Sequence, residues 1–195
     1  MNGLENEYYI ELKKNNKLVM KYEIIKKNKN KKTYIDFNTI NIEMNKKLVY
    51  IKNHIKNWTK PGNENEIYNF LYSVFDVNKY IYGTLLAFDK NIYSGNEGKV
   101  YNENYKIFAP IVYNEKNIGL KKYKLEEYDY TSGEWEWWNF PYETKKEYMT
   151  KPFQGVVSKF EIIIHSFPII VDEKFYGVFG YIFEYQQLNN MCLYI

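Results

Sequence analysis

Arginine is absent from this 195-residue chain, and all 27 of its basic residues are lysine. That absence excludes recognition of a carboxylate or phosphate by the planar guanidinium fork, which grips an anion through two parallel hydrogen bonds. Anion binding is left to lysine, backbone N–H groups and hydroxyls. Cysteine occurs once, as Cys192, so no disulfide framework or cysteine metal cluster can form and the redox compartment cannot be read from it. No stretch reaches the roughly 18 consecutive apolar residues of a membrane-spanning helix. Met1 is followed by "NGLENEYY" and not by the basic start and apolar run of a secretory leader. As written, the chain reads as soluble, either cytoplasmic or a piece of a longer polypeptide whose targeting parts lie elsewhere. P-loop, dinucleotide-binding and zinc patterns are also missing, so the sequence calls for no cofactor and no metal.

What the chain has in excess is aromatic surface. Aromatics make up 19% of it, including 22 Tyr and 12 Phe, and "GEWEWWNFP" (133–141) places Trp135, Trp137 and Trp138 within four positions. Such a cluster must bury against the domain's own core, a partner or a small ligand. With 45% hydrophobic residues, the chain suits one globular domain, or two small ones, with room for a real core. Its net charge of +3 is uneven, because residues 1–34 carry nine lysines against four glutamates and the remainder 18 lysines against 20 acids. The run "KKNKNKK" (26–32) is read as a solvated loop and not as a nucleic-acid or lipid contact. Abundant Lys, Asn, Ile and Tyr fit an AT-rich genome.

Residues 8–25 alternate weakly around Asn15-Asn16, which suggests a small hairpin. From Phe37 the apolar residues fall at Phe37, Ile40, Met44, Leu48, Ile51, Ile55 and Trp58, steps of three or four that mark one face of a long helix. "KPG" (60–62) stops it. Asn63 and Glu66 have the spacing of a capping box, and Ile67, Phe70, Leu71, Val74 and Phe75 supply the apolar face of a second, shorter helix. The pattern then turns extended in five runs: 80–89, 105–113, 118–130, 159–171 and 174–185. The linkers "YNEKN" and "DEK" are short enough for hairpins, so neighbouring strands should be antiparallel. Helices followed by such a sheet read as α+β. Pro110 and Pro168 inside two runs suggest edges or bulges.

Candidates for chemistry are few. His54 falls beside the helical stripe and His165 within a strand, with no Ser, Cys or carboxylate at a catalytic spacing, so both read as structural. Glu134 and Glu136 would share a face in an extended segment, but nothing makes one an acid and the other a base. "YSGNEGKVY" reads as a turn. No enzyme emerges.

Taken in order, the motifs resemble the Cache family of extracytoplasmic, PAS-like sensory domains found on chemoreceptors and sensor kinases. "NKYIYGTLLAFD" is similar to the family's first core strand, with Gly83 and Phe88 at its landmarks, and "YKIFAPIVYNEKNIG" to the next hairpin. "YDYTSGEWEWWNFPYETKKEYMTKPF" is similar to the stretch in which a Tyr-rich strand runs into a Trp-Tyr pair and a strand ending Trp-x-x-Pro-Tyr. "HSFPI" and "GVFGYIFEYQQL" resemble its closing strands. The resemblance implies a PAS-like α+β module with an antiparallel sheet of about five strands, a long N-terminal helix and a second short helix. It spans 35–190 with the long helix at 37–58, leaving a lysine-rich arm at 1–34 and a tail at 191–195. It further implies the distal ligand-binding module of a double-Cache, membrane-tethered receptor, with dimerisation through the long helix.

In the family's amino-acid-binding branch the pocket holds a Tyr, an Arg, a Trp, a Tyr and an Asp. On the same spacing this chain has Tyr130, Trp135, Trp137, Trp138 and Ile182, so the aromatic places are kept and both ionic places are lost. Breaking a buried ion pair costs about 3–5 kcal/mol, which argues against free amino acids and for an uncharged, flat or apolar small molecule. The alternative is a ligand-free structural or protein-interaction module whose rings fill the pocket themselves. The arm should be dispensable for folding: deletion of residues 1–34 is expected to leave the melting temperature nearly unchanged by scanning calorimetry. Loss of cooperative unfolding would place the 8–25 hairpin in the core.

Overall fold

A computed structural model describes residues 37–75, 81–102, 105–115, 119–124, 129–156 and 158–189. The long helix α1 (Phe37–Trp58) and the shorter α2 (Glu64–Val74) come first. They are followed by strands β1 (Ile81–Phe88), β2 (Lys99–Asn102), β3 (Tyr105–Ile107), β4 (Pro110–Glu115) and β5 (Gly119–Lys124). Helix α3 (Glu136–Thr144) leads to the short strands β6 (Tyr148–Met149) and β7 (Phe153–Gln154), the long hairpin β8 (Glu161–Val171) and β9 (Lys174–Glu184), and a final turn of helix, α4 (Tyr185–Asn189). The main sheet has the order β5-β4-β1-β9-β8-β6, with β7 also on β8, and its pairings are antiparallel. The α+β architecture is the one expected, and Gly83 and Phe88 stand on β1 as the first core strand requires.

Strand alternation explains how the sheet is covered. On one face Ile81, Leu86, Phe88, Val112, Ile163, Phe167, Ile169, Phe179, Tyr181 and Phe183 form a continuous layer with Met44, Ile51, Ile55 and Trp58 of α1 and with Ile67, Phe70, Leu71 and Val74 of α2. The periodic stripe read from the sequence is therefore the buried face of both helices. The opposite face carries Leu85, Ala87, Ile111, Ile162, Ile164, Val178 and Ile182 under Tyr130, Trp137 and Trp138. Because β1 and β9 are apolar on both faces, the sheet needs a second cover, and among the described residues α3 is the helix that supplies it, together with side chains such as Tyr130, Phe153 and Phe160.

Several local expectations are corrected. The run 105–113 is two strands: Tyr105–Ile107 pairs with β2 in a separate hairpin, and the main-sheet strand starts at Pro110. Proline lacks the N–H needed inside a ladder and is tolerated at a strand's first residue. Pro168 pairs with Val178 of β9, and β6 covers only Tyr148 and Met149 opposite Ser166 and His165, so the proline lies beyond that short pairing. The capping box at Asn63 does not form; its amide instead donates to the carbonyl of Asn57 at 3.0 Å, tying α2 back to the end of α1. Strand β5 ends at Lys124, and the extended reading of "EWE" fails because Glu136 opens α3. The suspected hairpin at 8–25 lies outside the described residues.

The β8–β9 turn carries Asp172 and Glu173 at φ 49° and 62°, the twist a two-residue hairpin requires. Just beyond it Gly177 sits at φ 150°, where an added Cβ would lie 2.1 Å from the Ala87 carbonyl oxygen of β1. The glycine is what lets β9 approach β1. Gly177→Ala is therefore expected to destabilise the domain by about 2–3 kcal/mol in urea titration, combining overpacking with an unfavourable backbone angle. A change below about 0.5 kcal/mol, the usual scale of neutral surface substitutions, would contradict this close approach.

Candidate functional site

The segment 129–145 is built by short-range chemistry. Asp129 Oδ1 accepts from the Thr131 N–H at 2.8 Å and from its hydroxyl at 2.6 Å, closing a turn, and Gly133 at φ 99° reverses the chain. Trp135 then stands extended as the residue before the helix, and its carbonyl accepts from Trp138 at 3.0 Å and Asn139 at 2.8 Å. Buried Trp137, Trp138 and Pro141 fall on one side of α3. Lys145 ends the helix in the left-handed conformation at φ 59°, with its ammonium 4.6 Å from the ring centroids of both Tyr142 and Phe175. That places a cation over two aromatic faces.

Of the five residues singled out from the sequence, the structure brings Tyr130, Trp137 and Trp138 into ring contact. Trp138 meets Tyr130 edge-on at 4.9 Å and Phe175 at 5.5 Å, and Trp137 lies 5.7 Å from Tyr130. Geometries of this kind are worth about 0.5–1.5 kcal/mol per pair beyond the area they bury. Ile182 belongs to the same apolar layer from below, on β9, and half-buried Trp135 packs at its margin. Trp137 and Trp138 are 2% exposed and Tyr130 is fully enclosed.

The Tyr130 hydroxyl has a task of its own. It donates to the Phe88 carbonyl at 2.7 Å, with the Phe108 carbonyl also within reach at 3.2 Å. It thereby pins the end of β1 to the chain entering β4, where the Phe88 N–H also donates to Phe108 at 3.1 Å. The Tyr130 hydroxyl is thus already engaged, and Tyr130 enters the layer as a wall. Burial drives its phenol well above the usual range, opposed by the hydrogen bonds.

Sequence reasoning passed over three nearby groups. Glu184 lies two residues beyond Ile182 on β9 and is 8% exposed; strand alternation from Ile182 was the signal that could have found it. Desolvation first, then Tyr113, Glu115 and Glu184, push the Tyr82 phenol up to about 12. Tyr123 packs on the layer from β5, and its hydroxyl is buried with no hydrogen-bond partner among the described residues. On the helical side, a groove of about 530 Å³ opens between α1 and α2, lined by Glu43, Lys46, Lys47, Tyr50, Glu66, Asn69, Phe70 and Ser73. It is of mixed charge, and Lys47 already donates to the Ser73 hydroxyl at 2.9 Å. Among the described residues, no three His, Cys, Asp or Glu side chains come together to hold a metal, and no helix is long and apolar enough to cross a membrane.

Buried phenols with raised pKa values hold their protons in the folded chain after the unfolded chain has released them. Their stabilisation is fully present below the ordinary phenol pKa near 10 and falls as pH rises above it. Urea midpoints should therefore drop between about pH 9 and about pH 11, more steeply in wild type than in Tyr130→Phe. At neutral pH Tyr130→Phe should itself lose about 1–3 kcal/mol by leaving a buried carbonyl without its donor. Equal slopes and equal neutral stability would contradict the role given to this hydroxyl.

No curated protein sequence matches the chain. Among solved structures, it is similar to the periplasmic sensory domain of the Campylobacter jejuni chemoreceptor Tlp1, with 18% identity over 79% of this chain and 57% of that one and a TM-score of 0.51. It is also similar to the extracellular domain of mmHK1S-Z2, assigned to a histidine kinase, with 13% identity over 78% and 58% of the two chains and a TM-score of 0.55. The extracellular domain of soHK1S-Z6, likewise assigned to a histidine kinase, gives 18% identity over 78% and 57% with a TM-score of 0.52. At such identities these matches show the fold, and the chain spans just over half the length of each. The model of the methyl-accepting chemotaxis protein-like first PDC sensor domain matches residues 67–190, which takes in the sheet, α3 and the aromatic layer. The chain belongs to that family of PDC sensor domains, in agreement with the Cache-like resemblance of its sequence.

Proposed function

We propose that the chain is a non-catalytic signal-input module that binds a small uncharged or apolar molecule on the face of the sheet opposite α1 and α2. The carrying observation is that this face is covered by one nine-residue helix and its aromatic rings, an arrangement that a flat ligand can enter by displacing rings and not backbone strands. Trp135, Trp137, Trp138, Tyr130 and Ile182 form its walls. Trp135 and Ile182 occupy the places that hold the ionic partners in the amino-acid-binding pattern, which speaks against a free amino acid as ligand. Nucleic acid is not a partner in this reading.

The reading extends to assembly. The module, residues 35–190, corresponds to the membrane-distal half of a double-module sensor in a tethered receptor. Support comes from the family's designation as a first sensor domain and from the greater length of the matching structures. Dimerisation runs through α1, whose Ile42 and Val49, seven residues apart, are 58% and 59% exposed.

A second reading has its own observation. Tyr130, Trp137 and Trp138 enclose one another almost completely, as in a structural core or an interaction module with no ligand.

Calorimetry separates the two. Wild type should bind no free amino acid, a metabolite screen should raise its melting temperature with an uncharged ligand, and that ligand should quench tryptophan fluorescence. The change Trp135→Arg with Ile182→Asp should introduce weak amino-acid binding, since charged hydrogen bonds contribute roughly 1.5–3 kcal/mol each. Tight amino-acid binding by the unmodified protein would overturn the ligand class. A screen without any ligand would favour the structural reading.

A further inference from the structure

His165 is the buried ionisable group that neither reading uses. It stands on β8 with 3% exposure, on the helix-side face shared with Ile163 and Phe167, its ring 4.3 Å from that of Phe167. Its Nε2 has no hydrogen-bond partner among the described residues. The nearest opposite charge is Glu147 Oε2 at 3.4 Å, on a side chain 37% exposed. This is ion-pair reach without a formed hydrogen bond.

The position of Glu147 gives the contact its meaning. It lies between α3, which carries the aromatic cover, and β6, whose Tyr148 and Met149 pair with Ser166 and His165. Trp137 and Trp138 pack on one face of the sheet and Met149 on the other, so the α3–β6 junction wraps the β8 edge and Glu147 reaches round to the helix side. Two further links fasten the junction: the Tyr148 hydroxyl donates to Glu136 at 2.8 Å, and the Phe140 ring stacks on Tyr148 at 4.5 Å.

We propose that His165 and Glu147 form a proton-operated latch that holds the α3–β6 junction, and with it the aromatic cover of the proposed ligand face, against β8. In neutral imidazole, Nε2 is either a buried lone pair facing a carboxylate, which is costly, or an N–H that can give Glu147 only a hydrogen bond from a neutral donor. Protonation converts the contact into a charge-assisted hydrogen bond, which requires Glu147 to close by only a few tenths of an ångström. No basic group is among those named around the ring. Opposite His165 on β9 stands Tyr181, whose hydroxyl is buried and without a partner among the described residues and which feels the charge of Glu43 on α1. From α4, Tyr185 packs against the same core, and from α3, Glu136 is bound to Tyr148. The groups named are acidic or neutral. Proton uptake therefore tightens the latch and proton loss loosens it.

The inference rests on α3 being the closing element of the proposed site, yet its test needs no ligand and is read separately from ligand binding. Amide hydrogen-exchange protection across 136–149, corrected for intrinsic rates, is compared at about pH 5.5 and about pH 7.5 in the whole chain. Wild type should be roughly tenfold more protected at the lower pH, the factor given by one modest charged hydrogen bond. His165→Gln and Glu147→Gln should each reduce that ratio to within about twofold. Glu147, being more than a third exposed, gives a variant that folds even if replacement of the buried histidine does not. A flat wild-type ratio, or a pH dependence that survives in either folded variant, would overturn the latch.

Discussion

The structure depends on one constraint: β1 and β9, central in the sheet, are apolar on both faces and must be covered twice. On one side the solution is ordinary, two helices laying a periodic stripe on the strands. On the other side, among the described residues, the helical cover is α3 with nine residues, joined by rings such as Tyr130, Phe153 and Phe160. The clustered tryptophans at 135–138 serve that cover, while the aromatic residues of the rest of the chain are prominent on the helix side as well.

Tyr130 shows how the second cover is held. Its ring supports both indoles, while its hydroxyl closes the end of β1 against the chain entering β4. A residue that does both cannot move without disturbing the strand ends. Trp135 precedes the same short helix and Trp137 lies in its first turn. In the proposed ligand reading, Tyr130 is the fixed part of the layer and α3 the part that moves. On β9 the alternation of Tyr181 toward α1 and Ile182 toward the aromatic layer puts the two sides of the sheet one residue apart. The two faces of the sheet are thus coupled through a single strand. Exposed contacts such as Lys56 with Asp172 add little to this coupling, since solvent screens them.

Much of this was legible in the sequence because it rests on periodicity. The stripe from Met44 to Trp58 and the alternation in β8 and β9 are enforced by burial, and burial leaves a pattern. The errors fell where local hydrogen bonding decides. Asn63 has the right type and spacing for a cap, yet its amide turns back to Asn57. The family resemblance placed a strand ending Trp-x-x-Pro-Tyr here, but the turn at Asp129 and the left-handed Gly133 deliver the chain into a helix. The candidate site was chosen through motif order, and the occupied hydroxyl of Tyr130 and the carboxylate of Glu184 were missed because a spacing rule records residue type and not what the residue is already bonded to.

The central claim is that the two faces have different jobs, one facing the helices and one receiving a ligand. It is tested most directly by hydrogen exchange with and without the first small molecule that raises the melting temperature. The account predicts that ligand adds protection first in 130–149 and in the facing parts of β8 and β9, with a smaller change along α1. Protection confined to the groove between α1 and α2, with α3 unaffected, would contradict it.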